Sequence, residues 1–363
     1  MNAEKIGKFE AICLILIIIV NEIVLNVPNL IIYTIGSSAI LNVIFISIIA
    51  ISFSFLIAKL FYTFIGMDII DISDFLGGKF LKIITSLFFL FFFLFLSSIG
   101  TRYLTNSIKI IYFNSSPFLF LLLFFIIPSV IINKLGLKAV SSVNVIFIII
   151  VVVSLLFLLT CSYKNFSITR MFPIFGKGLN ETFLSGMVNI FAFTGLAHLF
   201  LMPSILKNEK DFKKISITSI ILTALFLVFS MTSLILTLPI ITKSDEMLSI
   251  YLLTRMVDFG NFLERLDALF IFVWLLSLLA SLSVNIFFIL RILKKSLNLQ
   301  DEKLLATPIG LIILAGALLV KNYAQIKFLG DYFYKYGFIA LVFGFSLPIL
   351  ILANLKYKKA KKL

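Results

Sequence analysis

Apolar runs of roughly 20 residues recur along the whole chain, each long enough to cross a hydrocarbon core at about 1.5 Å of helix rise per residue. Strands of a membrane barrel would show shorter, alternating segments, so these runs are read as helices. With 61% of its 363 residues hydrophobic and only 13% charged, the chain has too little polar surface for a soluble globule of its size. Lipid must solvate it, and the predicted fold is an all-α polytopic membrane protein of about ten transmembrane helices. The expected spans are Phe9–Tyr33, Ala39–Tyr62, Ile83–Thr105, Phe118–Asn133, Val143–Cys161, Phe183–Leu206, Ser216–Leu238, Asp267–Leu290, Leu304–Val320 and Tyr332–Leu355. No linker is long or polar enough to part domains, so residues 1–363 are expected to form a single integral membrane domain. The first run follows the charged leader MNAEKIGK without a small-x-small cleavage site, and is expected to be retained as a span.

The net charge of +14 resides in short connections, where basic residues answer to membrane topology rather than to nucleic acid. With ten spans and the N-terminus inside, 20 of the 31 Lys and Arg fall on the inner side, which places both termini in the cytoplasm. Cys13 and Cys161 lie inside apolar runs without metal-ligand spacing, so no metal and no cofactor is expected. Walker, HExxH and nucleophile-elbow motifs are absent and the chain has one histidine, which argues against an enzyme.

Two spans carry features that a lipid-facing helix would not choose. Asn21, Glu22, Asn26, Pro28 and Asn29 interrupt the first, and Pro28 cannot donate to the carbonyl of Val24, so a local unwinding is expected there. The sixth contains NIFAFTGLAHLF, with Thr194, Gly195 and His198 near its middle and a glycine that eases a break. Spans one and six are equivalent positions if about 9–161 forms one repeat and about 183–355 its inverted copy. Paired broken helices point to a midplane binding site.

Glu22 lies near the bilayer centre, where an ionised carboxylate costs at least about 2.5–3.5 kcal/mol unless paired or hydrated. It is read either as a site for a ligand amine or cation, or as a carboxylate satisfied by nearby asparagines. Asn26 and Asn29 share its helical face. His198 is either a proton relay or a polar contact between helices. Ser97 and Ser98 sit mid-span in a phenylalanine-rich third helix, followed by Arg102, which either snorkels to the interface or binds a carboxylate. Glu264, Arg265 and Asp267 cluster at the start of span eight. From Asp267, a stripe through Trp274, Ser281 and Asn285 keeps to one face, while Ser277 is nearest the midplane but lies off it.

The stretch YLLTRMVDFGNFLERLDALFIFVW, with Tyr251, Arg255, Gly260, Phe262, Glu264, Arg265, Asp267 and Trp274, resembles the spore germination permease family. These are the B subunits of GerA-type germinant receptors, within the amino acid, polyamine and organocation transporter superfamily. DIIDISDFLGGKFLKII after span two, Arg102 followed by Pro117, Gly136, and FPIFGKG at Phe172 to Gly178 extend the likeness over nearly the whole chain. Asn21, Glu22 and Asn26 stand where family members often have glycines, and span six lacks the acidic residue many carry. The resemblance implies a LeuT-like 5+5 inverted repeat with broken helices one and six, and a pocket between spans one, three, six and eight. Glu22, Asn26, Ser97, Ser98, Thr194, Gly195, Trp274 and Ser277 are the expected ligand-binding residues, with His198 available for proton coupling. Pro28, Arg102, Arg255, Glu264, Arg265 and Asp267 are expected to be structural. It further implies a nutrient ligand, usually an amino acid, an A subunit and a lipoprotein C subunit as partners, and the inner membrane of the endospore. The alternative is a stand-alone proton- or sodium-coupled amino acid transporter.

Overall fold

In lipid every backbone N–H and C=O must be satisfied within the protein, and the chain meets that demand almost entirely with helices. The computed structural model describes residues 4–25, 27–239, 249–256, 266–320, 328–330 and 332–361. Among these, seven helices are long and apolar enough to cross a membrane: Val27–Phe61, Ile69–Ile111, Phe118–Leu135, Leu137–Asn165, Glu209–Thr237, Leu266–Leu297 and Phe328–Ala360. The remaining expected spans fall outside that test for different reasons. Lys8–Leu25 carries Lys8, Glu10 and Glu22, span six is not an α-helix through most of its length, and Ala306–Leu319 has 14 residues. Together they make the ten-span arrangement of an integral membrane protein.

Span two, Ala39–Phe61, packs on span seven, Phe212–Thr237, and span three packs on span eight, Leu266–Leu297. Each pair stands five spans apart in the chain, the offset between equivalent positions of a 5+5 inverted repeat. Span eight also lies against spans four and five, and Lys8–Leu25 is wedged among spans five, seven and eight. The contact with spans four and five is polar near the end of span four and the start of span five. Asn133 Nδ2 donates to the Ser283 carbonyl at 2.9 Å, and Asn144 Nδ2 to Ser283 Oγ at 3.1 Å. Such bonds between membrane helices are each worth about 1 kcal/mol.

The connection expected between spans two and three is in fact helical. Asp68 caps it, accepting from the N–H groups of Ile70 and Asp71 at 3.1 and 3.2 Å, while the Asp71 carboxylate accepts from the Asp68 N–H. The helix bends at Gly77 and Gly78 before continuing as span three, and Gly78 at φ +66° adopts a conformation that side chains disfavour.

Both termini lie on one face. There Ile6 donates to the Ile205 carbonyl and Lys207 to that of Ile6, both at 2.9 Å, and Lys356 Nζ donates to the Phe75 carbonyl at 2.7 Å. The centre of this face is an ion cluster. Lys295, from the end of span eight, meets the fully buried Asp68 at 2.5 Å and also Asp71, and Ser204 Oγ donates to Asp68 at 2.9 Å.

Candidate functional site

Span one is described as Lys8–Leu25 and Val27–Ile35, and the unwinding expected near Pro28 centres on Asn26, outside the described residues. Span six departs from α geometry. It opens as a π-turn at Asn180–Leu184, narrows to a 3₁₀-helix at Ser185–Phe193, and becomes α-helical only at Gly195–Leu199. Side chains from span two supply bonds that this irregular backbone lacks. Asn42 Nδ2 donates to the carbonyls of Thr182 and Gly186 at 2.8 and 3.0 Å, and Asn189 Nδ2 donates to Asn42 Oδ1 at 2.9 Å. Gly195 lets span six press on span one, since a Cβ there would lie 2.7 Å from Ile19.

Between spans one, three, eight and ten lies a cavity of about 20 Å³, room for about one water. Its polar lining comes from Asn21 and Glu22 of span one, Ser97 and Thr101 of span three, Ser281 and Asn285 of span eight, and Tyr334 of span ten. Glu22 is 6% exposed and accepts a hydrogen bond from Tyr334 Oη at 3.1 Å. Among the described residues, no lining side chain carries a positive charge. Asn21 Oδ1 and Ser97 Oγ are buried without a hydrogen-bond partner among the described residues. Leaving such groups unmet costs about 1–3 kcal/mol each, and an unpaired carboxylate more. The shell is therefore complementary to a small group that brings a proton or a cationic donor.

The structure thus brings Glu22 and Ser97 together. Ser98, one residue on, faces span nine, where a Cβ on Gly316 would fall 2.6 Å from its Oγ. Thr194, Gly195, Trp274 and Ser277 are fully buried but do not line the cavity. Ser277 Oγ donates to the Trp274 carbonyl at 3.0 Å, whereas Thr194 Oγ1 and Trp274 Nε1 have no partner among the described residues. His198 joins the shell indirectly. Its Nε2 is 2.9 Å from Asn285 Oδ1, and its ring is packed between Phe93 and Phe288. Arg102 stacks 3.9 Å over the Phe118 ring and pairs with no carboxylate among the described residues. Arg255 lies 5.8 Å over Tyr251, and the Asp267 carbonyl accepts from Tyr112 Oη at 3.3 Å. Asn26, Gly260, Phe262, Glu264 and Arg265 lie outside the described residues.

Asn21, Ser281 and Asn285 were visible in the sequence as span interruptions or stripe members, though not as parts of one cavity. Tyr334 gave no such signal, because a tyrosine at the start of a span reads as an interfacial aromatic. A larger cavity, about 440 Å³, opens toward the face opposite the termini. It is lined by Tyr33, Thr34, Lys177, Glu181, Asn189 and Lys335 among others, and Lys177 Nζ donates to the Tyr33 carbonyl at 3.1 Å.

Comparison with known proteins gives this geometry a context. The chain is 25% identical over 276 residues to spore germination protein A2 of Bacillus subtilis (strain 168), covering 76% of this chain and 74% of that protein. It is 23% identical over 292 residues to the putative spore germination protein YfkT of the same organism, with coverages of 80% and 78%. Among solved structures, a substrate-bound, outward-open Na+-coupled sialic acid symporter superimposes with a TM-score of 0.66 at 12% identity, over 93% of this chain and 79% of that one. Mhp1, a nucleobase-cation-symport-1 family transporter, superimposes in a closed conformation with a TM-score of 0.58 at 11% identity, over 90% and 75%. Its inward-facing conformation gives 0.58 at 12% identity, over 98% and 92%. At these identities the structures share the LeuT-like fold and nothing narrower. The family and the fold neighbours are permease- or transporter-like rather than enzymes. With a family match running from residue 5 to 325, this membrane chain belongs to the spore germination protein family.

Proposed function

We propose that this protein is the nutrient-sensing membrane subunit of a spore germinant receptor, and that its ligand is a small zwitterion, an amino acid, held at Glu22. The observation that supports this reading most is the buried carboxylate of Glu22, set among Asn21, Ser97 and Tyr334 with no cation in the lining among the described residues. A ligand ammonium supplies the missing counter-charge. The cavity is too small for an amino acid, so binding has to widen it. The ligand then favours the wider arrangement by its differential affinity for it. Thr194 and Trp274, with their unused donors, are the next groups a widened cavity reaches, and the 440 Å³ cavity on the far face is the approach. In this reading the repeats 9–161 and 183–355 form one domain, both termini face the cytoplasm, and the signal passes to the A subunit and the lipoprotein C subunit in the spore inner membrane. In spores, Glu22→Gln should leave protein levels normal and raise the nutrient needed for germination at least about tenfold, roughly 1.4 kcal/mol. An unchanged dose response would make Glu22 a structural carboxylate.

A second reading, a stand-alone coupled amino acid transporter, draws support from the hydrogen bond that links His198 to Asn285 at the cavity wall. Proton- or sodium-driven amino acid uptake into proteoliposomes holding this chain alone would favour it over the receptor.

A further inference from the structure

A third cavity lies on the terminal face, away from the Glu22 shell. It measures about 250 Å³ and sits between the end of span two, the turn at Phe64–Gly66 and the start of span seven. Its wall is aromatic, built from Phe61, Phe64 and Phe212, with the rings of Phe61 and Phe212 edge to face at 5.2 Å. Its charged lining is Lys210, Lys213 and Glu209. Glu209 is already held by Lys5 at 3.2 Å, whereas neither Lys210 nor Lys213 pairs with a carboxylate among the described residues. Lys213 instead places its ammonium 5.0 Å over the ring of Phe55, about two helical turns below Tyr62 on span two. That position is at the rim of a lipid-facing strip, for Phe55, Tyr62 and Ile65 are 47%, 81% and 55% exposed.

We propose that this cavity binds the headgroup of an anionic phospholipid, with its phosphate between Lys210 and Lys213 and its acyl chains along Phe55, Tyr62 and Ile65. The two lysines supply charge without a competing partner, and a basic pocket between helices at the membrane interface suits such headgroups. A free phosphate ion would match the lysines and leave the aromatic wall and apolar strip unused. The lipid answers to both. Pro203, past the α-helical Gly195–Leu199 of span six, also lines the cavity, so a bound headgroup would bear on the end of that irregular span.

The test uses the purified full-length protein, titrated in detergent with phosphatidylglycerol or phosphatidylcholine and read by native mass spectrometry. Lys210→Gln/Lys213→Gln should weaken phosphatidylglycerol binding at least tenfold and leave phosphatidylcholine unchanged. Lys210→Arg/Lys213→Arg should keep the binding, and Lys358→Gln/Lys359→Gln, which removes the same charge elsewhere, should not alter it. If the double glutamine variant does not fold, each single variant should still show about a threefold loss. Equal phosphatidylglycerol binding by the wild type and the folded glutamine variants would overturn the proposal. So would complete displacement of the lipid by inorganic phosphate, which would mark a site for a free anion.

Discussion

The terminal face and the mid-membrane shell each bury an acidic residue, Asp68 and Glu22, and treat it in opposite ways. Asp68 receives an ammonium from Lys295, a hydroxyl from Ser204 and two backbone N–H groups from its own helix. Glu22 has the Tyr334 hydroxyl as its hydrogen-bond donor, beside two buried oxygens that have no partner among the described residues. A fully partnered carboxylate fixes helices to one another, since every displacement breaks several charge-assisted bonds. An under-partnered one leaves free energy for something that arrives later. The contrast assigns rigidity to the terminal face and ligand response to the shell.

Neutralising each acid at constant shape is the strongest way to break this comparison. Asp68→Asn removes the fully buried carboxylate of the cluster, leaves Lys295 with Asp71 alone, and should cost about 3 kcal/mol in lost charge-assisted bonds, read as a lowered unfolding midpoint of the detergent-solubilised protein. Glu22→Gln should leave that midpoint unchanged or raise it, because it removes a buried charge with no cation beside it among the described residues. Equal losses in the two variants would erase the distinction.

A smaller effect is expected at Asn42, which holds the irregular half of span six. Asn42→Leu deletes three buried hydrogen bonds and should cost about 2 kcal/mol. It should also quicken hydrogen exchange of amides in Ser185–Phe193 more than in span eight. Uniform protection across both would mean that span six keeps its shape without Asn42.

The smallest expected difference separates two neighbouring serines. Ser97→Ala should raise the nutrient requirement about threefold, equivalent to about 0.7 kcal/mol, whereas Ser98→Ala should leave it unaltered. Equal effects would show that the cavity extends around the helix toward span nine.

The two serines also show where sequence reading stops. Consecutive residues on a helix point about 100° apart, so both looked equally available until the packing of Gly316 of span nine against Ser98 assigned that serine away from the cavity. Arg102 was open to two readings for a similar reason, and its place over the Phe118 ring at the start of span four is a contact between spans that neither reading contained. The helix ahead of span three escaped notice because its eight residues up to Gly77 are too few to stand out beside membrane-length runs, and its Asp68 cap is a short signal.

What the sequence determined by itself was everything carried by long apolar runs and by the residues that interrupt them. Span number and helical class follow from the cost of burying unsatisfied backbone in lipid, and that cost acts locally along the chain. The family likeness rests on equally local motifs. The tertiary structure alone decided which polar residues share a cavity, because Glu22, Ser97, Asn285 and Tyr334 come from four spans and meet only through helix rotation and crossing. Those are set by contacts between distant segments such as Asn42 with Gly186 and Asn133 with Ser283, which no pattern within a single run encodes.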